Sequence, residues 1–148
     1  MDASQFAPAY KVIFYKTPQG AEPVREWLQS LNRSERLQLG QAIQVLQMNG
    51  SALPMPYACP LGQGLFELRE RVGKVRYRVF YMFDGGRVVV LLHAAVKDQR
   101  VLEADMALAR RRLKDYVCLL YTSFKIHEVH HILAVRHRER VQCDCGLS

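Results

Sequence analysis

Apolar positions recur with two periods along this chain. Between Leu65 and Val96 they alternate every second residue and are rich in β-branched and aromatic side chains, which predicts strands at Leu65 to Arg71, Lys74 to Phe83 and Arg87 to Val96. The breaks fall at Val72-Gly73 and Gly85-Gly86, where two-residue turns would fix an antiparallel register. Tyr10 to Tyr15 reads as an earlier strand, ended by Thr17-Pro18-Gln19-Gly20. Helical spacing predicts a short helix over Glu22 to Leu31. A longer one comes next, capped by Ser34 and stopped at Asn49-Gly50. Ser51 to Gln63, with its three prolines, reads as a loop, and Val101 to Tyr116 as a final helix. The fold class is α+β, in the order β, α, α, β, β, β, α, with the helical hairpin covering one face of an antiparallel curved sheet.

Period two sorts the sheet residues into two faces. Phe66, Leu68, Val75, Tyr77, Val79, Tyr81, Val88, Val90, Leu92 and Ala94 make an apolar face suited to the hairpin. On the other face the two-residue turns predict cross-strand rows. Leu65, Phe80 and Leu91 form one, Glu67, Arg78 and His93 the next, then Arg69, Arg76 and Ala95, with Lys97 opposite Lys74. A carboxylate, an imidazole and several cations thus converge beside an apolar floor. That face is the place to look for chemistry.

Length and charge narrow the classes. At 148 residues the chain is one domain's worth. Its longest apolar run is too short for a membrane span and its N-terminus lacks the pattern of a signal peptide, so a cytoplasmic protein without a membrane partner is expected. The net charge is +7, and residues 1–116 hold most of the excess, with 17 Lys and Arg against 11 Asp and Glu. Phosphate-bearing partners fit a basic body of this kind. Cys59, Cys118, Cys143 and Cys145 have no paired spacing and read as reduced thiols.

The segment from Pro60 to Arg100 and the subsequent ADMALARRRLKDY resemble the RelE/ParE toxin superfamily, and in particular its HigB-like, phage-derived branch. Pro60, Gly62, Gly64, Glu67, Leu68 and Arg69 stand where such toxins carry a proline, a glycine pair and E-L-R. Tyr77, Arg78 and Tyr81 match Y-R-x-x-Y, and Leu91, Leu92, His93 and Lys97 match L-L-H followed by lysine. The likeness spans about Tyr10 to Tyr116. The chain departs from it at Ala94-Ala95, where relatives have Gly-Phe, and at Leu102, where they have proline. The resemblance implies a toxin domain over residues 1–116 with a RelE-like fold, and leaves 117–148 as an extension. It also implies a ribosome-dependent mRNA interferase held inactive by a cognate antitoxin of helix-turn-helix type.

RNA cleavage of this kind needs no metal or other cofactor, because the 2′-OH attacks the adjacent phosphate. It requires a base, cations at the phosphorane and an acid at the leaving oxygen. Glu67 is the candidate base and His93 the candidate acid, imidazole titrating near neutral pH. Arg78 holds the phosphate at the catalytic centre, since a guanidinium fork matches its oxygens. Arg69, Arg76, Lys97 and Arg100 are candidates for further RNA and phosphate contacts, and Phe80 and Tyr116 for base stacking. Plain structural readings stand beside these. Glu67 opposite Arg78 is also an ordinary cross-strand pair contributing roughly 0.2–1 kcal/mol, a histidine on an apolar strand is commonly a packing residue, and the Arg110–Lys114 cations suit a helix C-terminus.

The extension holds His127, His130, His131, Cys143 and Cys145, at spacings that fit no standard zinc finger, so no metal is expected. A short helix near Ile126 to Val135 is the reading of its pattern. A reading from another class keeps the scaffold without the chemistry. In it the chain is a binding module, either a ParE-like gyrase inhibitor or a degenerate toxin that only binds its antitoxin or the ribosome.

Overall fold

The computed structural model describes residues 9–97 and 102–129. Its elements are β1 (Lys11–Phe14), α1 (Pro23–Ser30), α2 (Arg33–Asn49), β2 (Ala58–Gly62), β3 (Leu65–Val72), β4 (Val75–Asp84), β5 (Val88–Val96) and α3 (Leu102–Val129). The α+β class holds. Five strands form one open sheet in the order β1-β5-β4-β3-β2, antiparallel except where β1 runs parallel to β5.

Three departures from the sequence reading concern element limits. The stretch expected to be a loop contains β2, paired with β3. Pro60 misleads here because proline, lacking an N–H, is tolerated on an edge strand, and β2 is an edge. The second helix is capped by Asn32 rather than Ser34. Asn32 Oδ1 accepts from the Glu35 N–H at 2.9 Å and the Glu35 carboxylate accepts from the Asn32 N–H at 3.3 Å, a complete capping box. The last helix does not end at Tyr116 but runs on to Val129. No glycine or proline interrupts the chain between Tyr116 and Val129 to stop the helix.

Register supplies the departures that matter for function. The β3–β4 turn is Gly73-Lys74, one position later than expected, so Val72 pairs Val75 and every β3–β4 pair moves by two residues. A shift of two keeps each residue on its face but changes its row. Across β4–β5 the loop holds three residues, Gly85 to Arg87, because Asp84 pairs Val88. Leu92 is then the extra residue between the Phe80–His93 and Tyr81–Leu91 pairs. The bulge flips part of β5. Val89 and Leu91 point into the hairpin-covered core, and Val90 pairs Met82 on the opposite face.

That core gathers Val24 from α1, Ala42 and Leu46 from α2, and Ala58, Leu68, Val79, Tyr81, Val89, Leu91 and Ala94 from the sheet. Trp27 of α1 meets Tyr77 edge-on, with ring centroids 5.9 Å apart. Each fully buried aliphatic side chain contributes about 1.5–3 kcal/mol relative to exposure, so burial against the sheet holds the hairpin in place. Gly50, ending α2, has φ +52°, and a Cβ there would lie 1.9 Å from the Tyr10 ring. Glycine is thus required where the segment leading into β1 crosses the helix end.

The chain divides into two compact units, Met1–Lys114 and Asp115–Ser148. No helix among the described residues is long and apolar enough to cross a membrane.

Candidate functional site

The face opposite the hairpin carries the chemistry-bearing residues in rows set by the observed register. Cys59, Glu67, Phe80 and His93 form one row across β2, β3, β4 and β5. Arg69, Arg78 and Ala95 form the next. Arg71 and Arg76 make a third, with Lys97 beside them through its N–H to the Arg76 carbonyl at 2.7 Å. The expected row of Glu67, Arg78 and His93 is therefore replaced by Glu67, Phe80 and His93, and Lys97 faces Arg76 instead of Lys74.

Glu67 and Arg78 meet all the same, diagonally. Arg78 Nη1 donates to Glu67 Oε2 at 3.2 Å and Arg69 Nε donates to Glu67 Oε1 at 2.6 Å. The carboxylate is fully buried and Arg78 is 7% exposed, whereas Arg69 leaves 43% of its side chain in solvent. The hydrogen bond to Glu67 raises the Arg69 guanidinium above its ordinary value. Arg78 Nε is buried with no hydrogen-bond partner among the described residues, an uncommon state for a cationic donor.

These arginines line a surface depression of about 410 Å³, together with Arg71, Arg76, Lys97 and Tyr57. Glu70 lines it as well and accepts from the Arg71 N–H at 2.9 Å. Five cations thus share the depression with one lining carboxylate, Glu70, while buried Glu67 pairs with Arg69 and Arg78. Arg69 opposite Arg78 and Arg71 opposite Arg76 are like-charge cross-strand pairs, an unfavourable arrangement. The Glu67 carboxylate bridges the first, whereas Arg71 and Arg76 have no ion-pair partner among the described residues. Lys97 registers the crowding. Arg78 foremost, then partial desolvation, Arg76 and Arg69 pull its ammonium below the ordinary lysine value, against a small opposing pull from Glu67.

His93 is held differently. Its ring stacks on Phe80, with centroids 5.8 Å apart and planes 19° apart. Nε2 lies 2.8 Å from Asp105 Oδ1, and Nδ1 lies 3.4 Å from Arg112 Nη1. A guanidinium can only donate, so Nδ1 accepts and the proton sits on Nε2, donated to Asp105. Arg112 Nη1 also donates to the Leu92 carbonyl at 2.9 Å, at the bulge. Arg110 reaches the Leu61 carbonyl at 2.8 Å and the Gly62 carbonyl at 3.2 Å. Arg110 and Arg112 of α3 are therefore clamps onto the sheet. The helix continues past them, so compensation of a helix C-terminus does not explain their clustering.

The structure brings together Glu67, Arg69, Arg76, Arg78 and Lys97, and sets His93 in the row of Glu67 but two strands away, beyond Phe80 and against α3. Phe80 is fully buried under the His93 ring and offers no open face. Tyr116 lies in the second unit, half-buried. Arg100 falls outside the described residues, as do His130, His131, Cys143 and Cys145 of the expected extension. Sequence reasoning missed Asp105 and Arg112. Their spacing of seven places both on one stripe of α3, which is the signal that pairs them on His93.

Compared with known proteins, the chain matches no curated protein. A family model does match, that of the phage-derived protein Gp49-like (DUF891), over residues 26–114. That span takes in most of the core-covering hairpin, all of β2 to β5 and the clamp residues of α3. The chain belongs to the Gp49-like family of phage-derived proteins, within the RelE/ParE-like toxin superfamily.

Proposed function

We propose that this protein is the toxin of a type II toxin–antitoxin pair and acts as a ribosome-dependent mRNA interferase on a RelE-like, HigB-like scaffold, with residues 1–116 as the toxin domain. The observation that carries this reading is the cationic depression, in which buried Glu67 fixes Arg69 and Arg78 while Arg76 and Lys97 crowd beside them. Such an array is prepared for a phosphate, because the Arg71, Arg76 and Lys97 charges exceed what Glu67 offsets and the Arg69 and Arg78 guanidiniums are already oriented by it.

In the reaction, the 2′-OH gives up its proton to solvent water and attacks the adjacent phosphorus, the P–O5′ bond breaks as the leaving oxygen takes a proton, and a cyclic phosphate and a 5′-OH result. Arg69, Arg76 and Arg78 hold the phosphorane oxygens. Lys97, whose proton is less tightly held than usual, supplies a proton to the leaving 5′-oxygen. Glu67 has both oxygens engaged and no exposure, which supports an anchoring role for it in place of the base role expected from sequence. His93, engaged at both ring nitrogens, positions the β5 end of the face against α3. The same occupied state of Glu67 and His93 favours the second reading, a non-catalytic binding module on this scaffold that engages gyrase, the ribosome or its antitoxin alone.

Primer extension on mRNA in a cell-free translation reaction separates the two. Wild-type protein is expected to produce cuts that vanish when ribosomes are omitted and fall at least tenfold for Arg78→Ala and for the exposed-site variant Arg76→Ala. Arg76 is included because its removal leaves the Glu67 pairs intact. Folded wild-type protein that makes no cut overturns the enzymatic reading and leaves the binding module.

A further inference from the structure

Tyr57 is an exposed aromatic ring beside the cations, and its backbone is pinned. Its carbonyl accepts the Arg69 N–H at 2.9 Å and its own N–H donates to the Pro54 carbonyl at 3.1 Å. The first of these bonds continues the β2–β3 pairing by one residue beyond Ala58 and Leu68, so Tyr57 stands opposite Arg69. Cross-strand partners share a face, and the row of Arg69 and Arg78 therefore begins with Tyr57. The residue is 59% exposed and lines the same depression. Met55, two residues earlier, is 63% exposed. A solvent-facing ring on a pinned backbone next to a guanidinium pair, one member of which has a buried Nε with no partner among the described residues, has the two parts that recognise one nucleotide unit. The cations take the phosphate and the ring takes the base.

We infer that Tyr57 is the base-stacking residue of the RNA site, receiving an unpaired base of single-stranded RNA whose phosphate lies on Arg69 and Arg78. The inference rests on the RNA-binding part of the function proposed above. A ring accepts any base by its face, so Tyr57 contributes affinity and placement without sequence preference. Duplex RNA, with its bases already stacked, gains nothing from it. The buried ring of Phe80 then serves as the floor beneath His93, and the exposed Tyr57 takes the stacking task on the same face.

The test is direct binding, independent of cleavage. Anisotropy of a fluorescein-labelled 2′-O-methyl hexanucleotide, which cannot be cut, is read with wild type, Tyr57→Phe, Tyr57→Ala and Arg78→Ala, and inorganic pyrophosphate is titrated as a competitor. Tyr57→Ala is expected to weaken the hexanucleotide by about tenfold or more, with Tyr57→Phe close to wild type and the pyrophosphate affinity unchanged. Arg78→Ala is expected to weaken both ligands. Equal hexanucleotide affinity for Tyr57→Ala and wild type overturns the inference and leaves Tyr57 as a contact for a protein partner. Equal loss of hexanucleotide and pyrophosphate overturns it too, by assigning Tyr57 a role in shaping the cradle. Wild type that binds pyrophosphate and no hexanucleotide defeats both the inference and the RNA reading. A Tyr57-dependent hexanucleotide affinity in a protein that makes no cuts on the ribosome upholds the inference while the enzymatic reading fails.

Discussion

Arg78 and Glu67 are ion-paired across neighbouring strands without being cross-strand partners, Arg78 Nη1 lying 3.2 Å from Glu67 Oε2 while the register sets Phe80 opposite Glu67. The pair is diagonal and nearly solvent-free, with side chains 8% and 1% exposed. Losing half of a buried pair costs far more than losing half of a surface one. The remaining charge then lacks both water and a partner.

Glu67→Ala is accordingly expected to lower the unfolding free energy by roughly 3–5 kcal/mol, because Arg78 is left buried and uncompensated. The double variant Glu67→Leu/Arg78→Met is expected to recover much of that loss by replacing the pair with apolar volume. Urea denaturation of the two variants and wild type checks this. A single variant at least as stable as the double one would show that Arg78 finds solvent when its partner is gone.

The sheet face that holds this pair is legible in the sequence to the level of faces and not to the level of rows. Alternation alone puts Glu67, Arg69, Arg76 and Arg78 together, since a slip of two residues leaves a side chain on its face. The row assignments depend on which residues form each turn, and Gly73-Lys74 displaces Val72-Gly73 because Gly73 takes the left-handed φ of +61° as the first residue of the turn. On β5 even the faces are hidden, since the bulge at Leu92 leaves no mark in an unbroken apolar run. The parallel pairing of β1 with β5 joins strands far apart in sequence, and no local pattern encodes it. Asp105 and Arg112 escape a sequence reading because a helix residue reveals its strand partner only after docking.

The clasp on His93 makes a spectroscopic prediction. With Arg112 donating to Nδ1 and Asp105 accepting from Nε2, nitrogen-15 spectra of the ring are expected to show the Nε2–H tautomer. Asp105→Ala leaves Nε2 without its acceptor and is expected to destabilise the protein by about 1 kcal/mol, the net contribution of a typical hydrogen bond, since this one is only partly buried. Because the clasp also positions α3 on the sheet, backbone hydrogen exchange should rise in residues 103–112 while β3 and β4 keep their protection. A ring found as the Nδ1–H tautomer would contradict the contact with Arg112.

Tyr81 sets a limit on alkaline stability. Burial in the hairpin-covered core, with a lesser contribution from Cys59, pushes its hydroxyl up to about 12 from the ordinary 10. Below pH 10 the hydroxyl is protonated in both folded and unfolded chains, and its contribution to stability is fully present. Between pH 10 and 12 the unfolded chain loses the proton while the folded chain keeps it, so unfolding becomes easier as pH rises. Tyr81→Phe has no proton to lose. Other titrating groups act alike on both proteins, so the difference in urea midpoint between wild type and Tyr81→Phe isolates this hydroxyl. Measured from about pH 9 upward, wild type is expected to lose stability more steeply than the variant above pH 10, and parallel curves would mean that the hydroxyl reaches solvent in the folded protein.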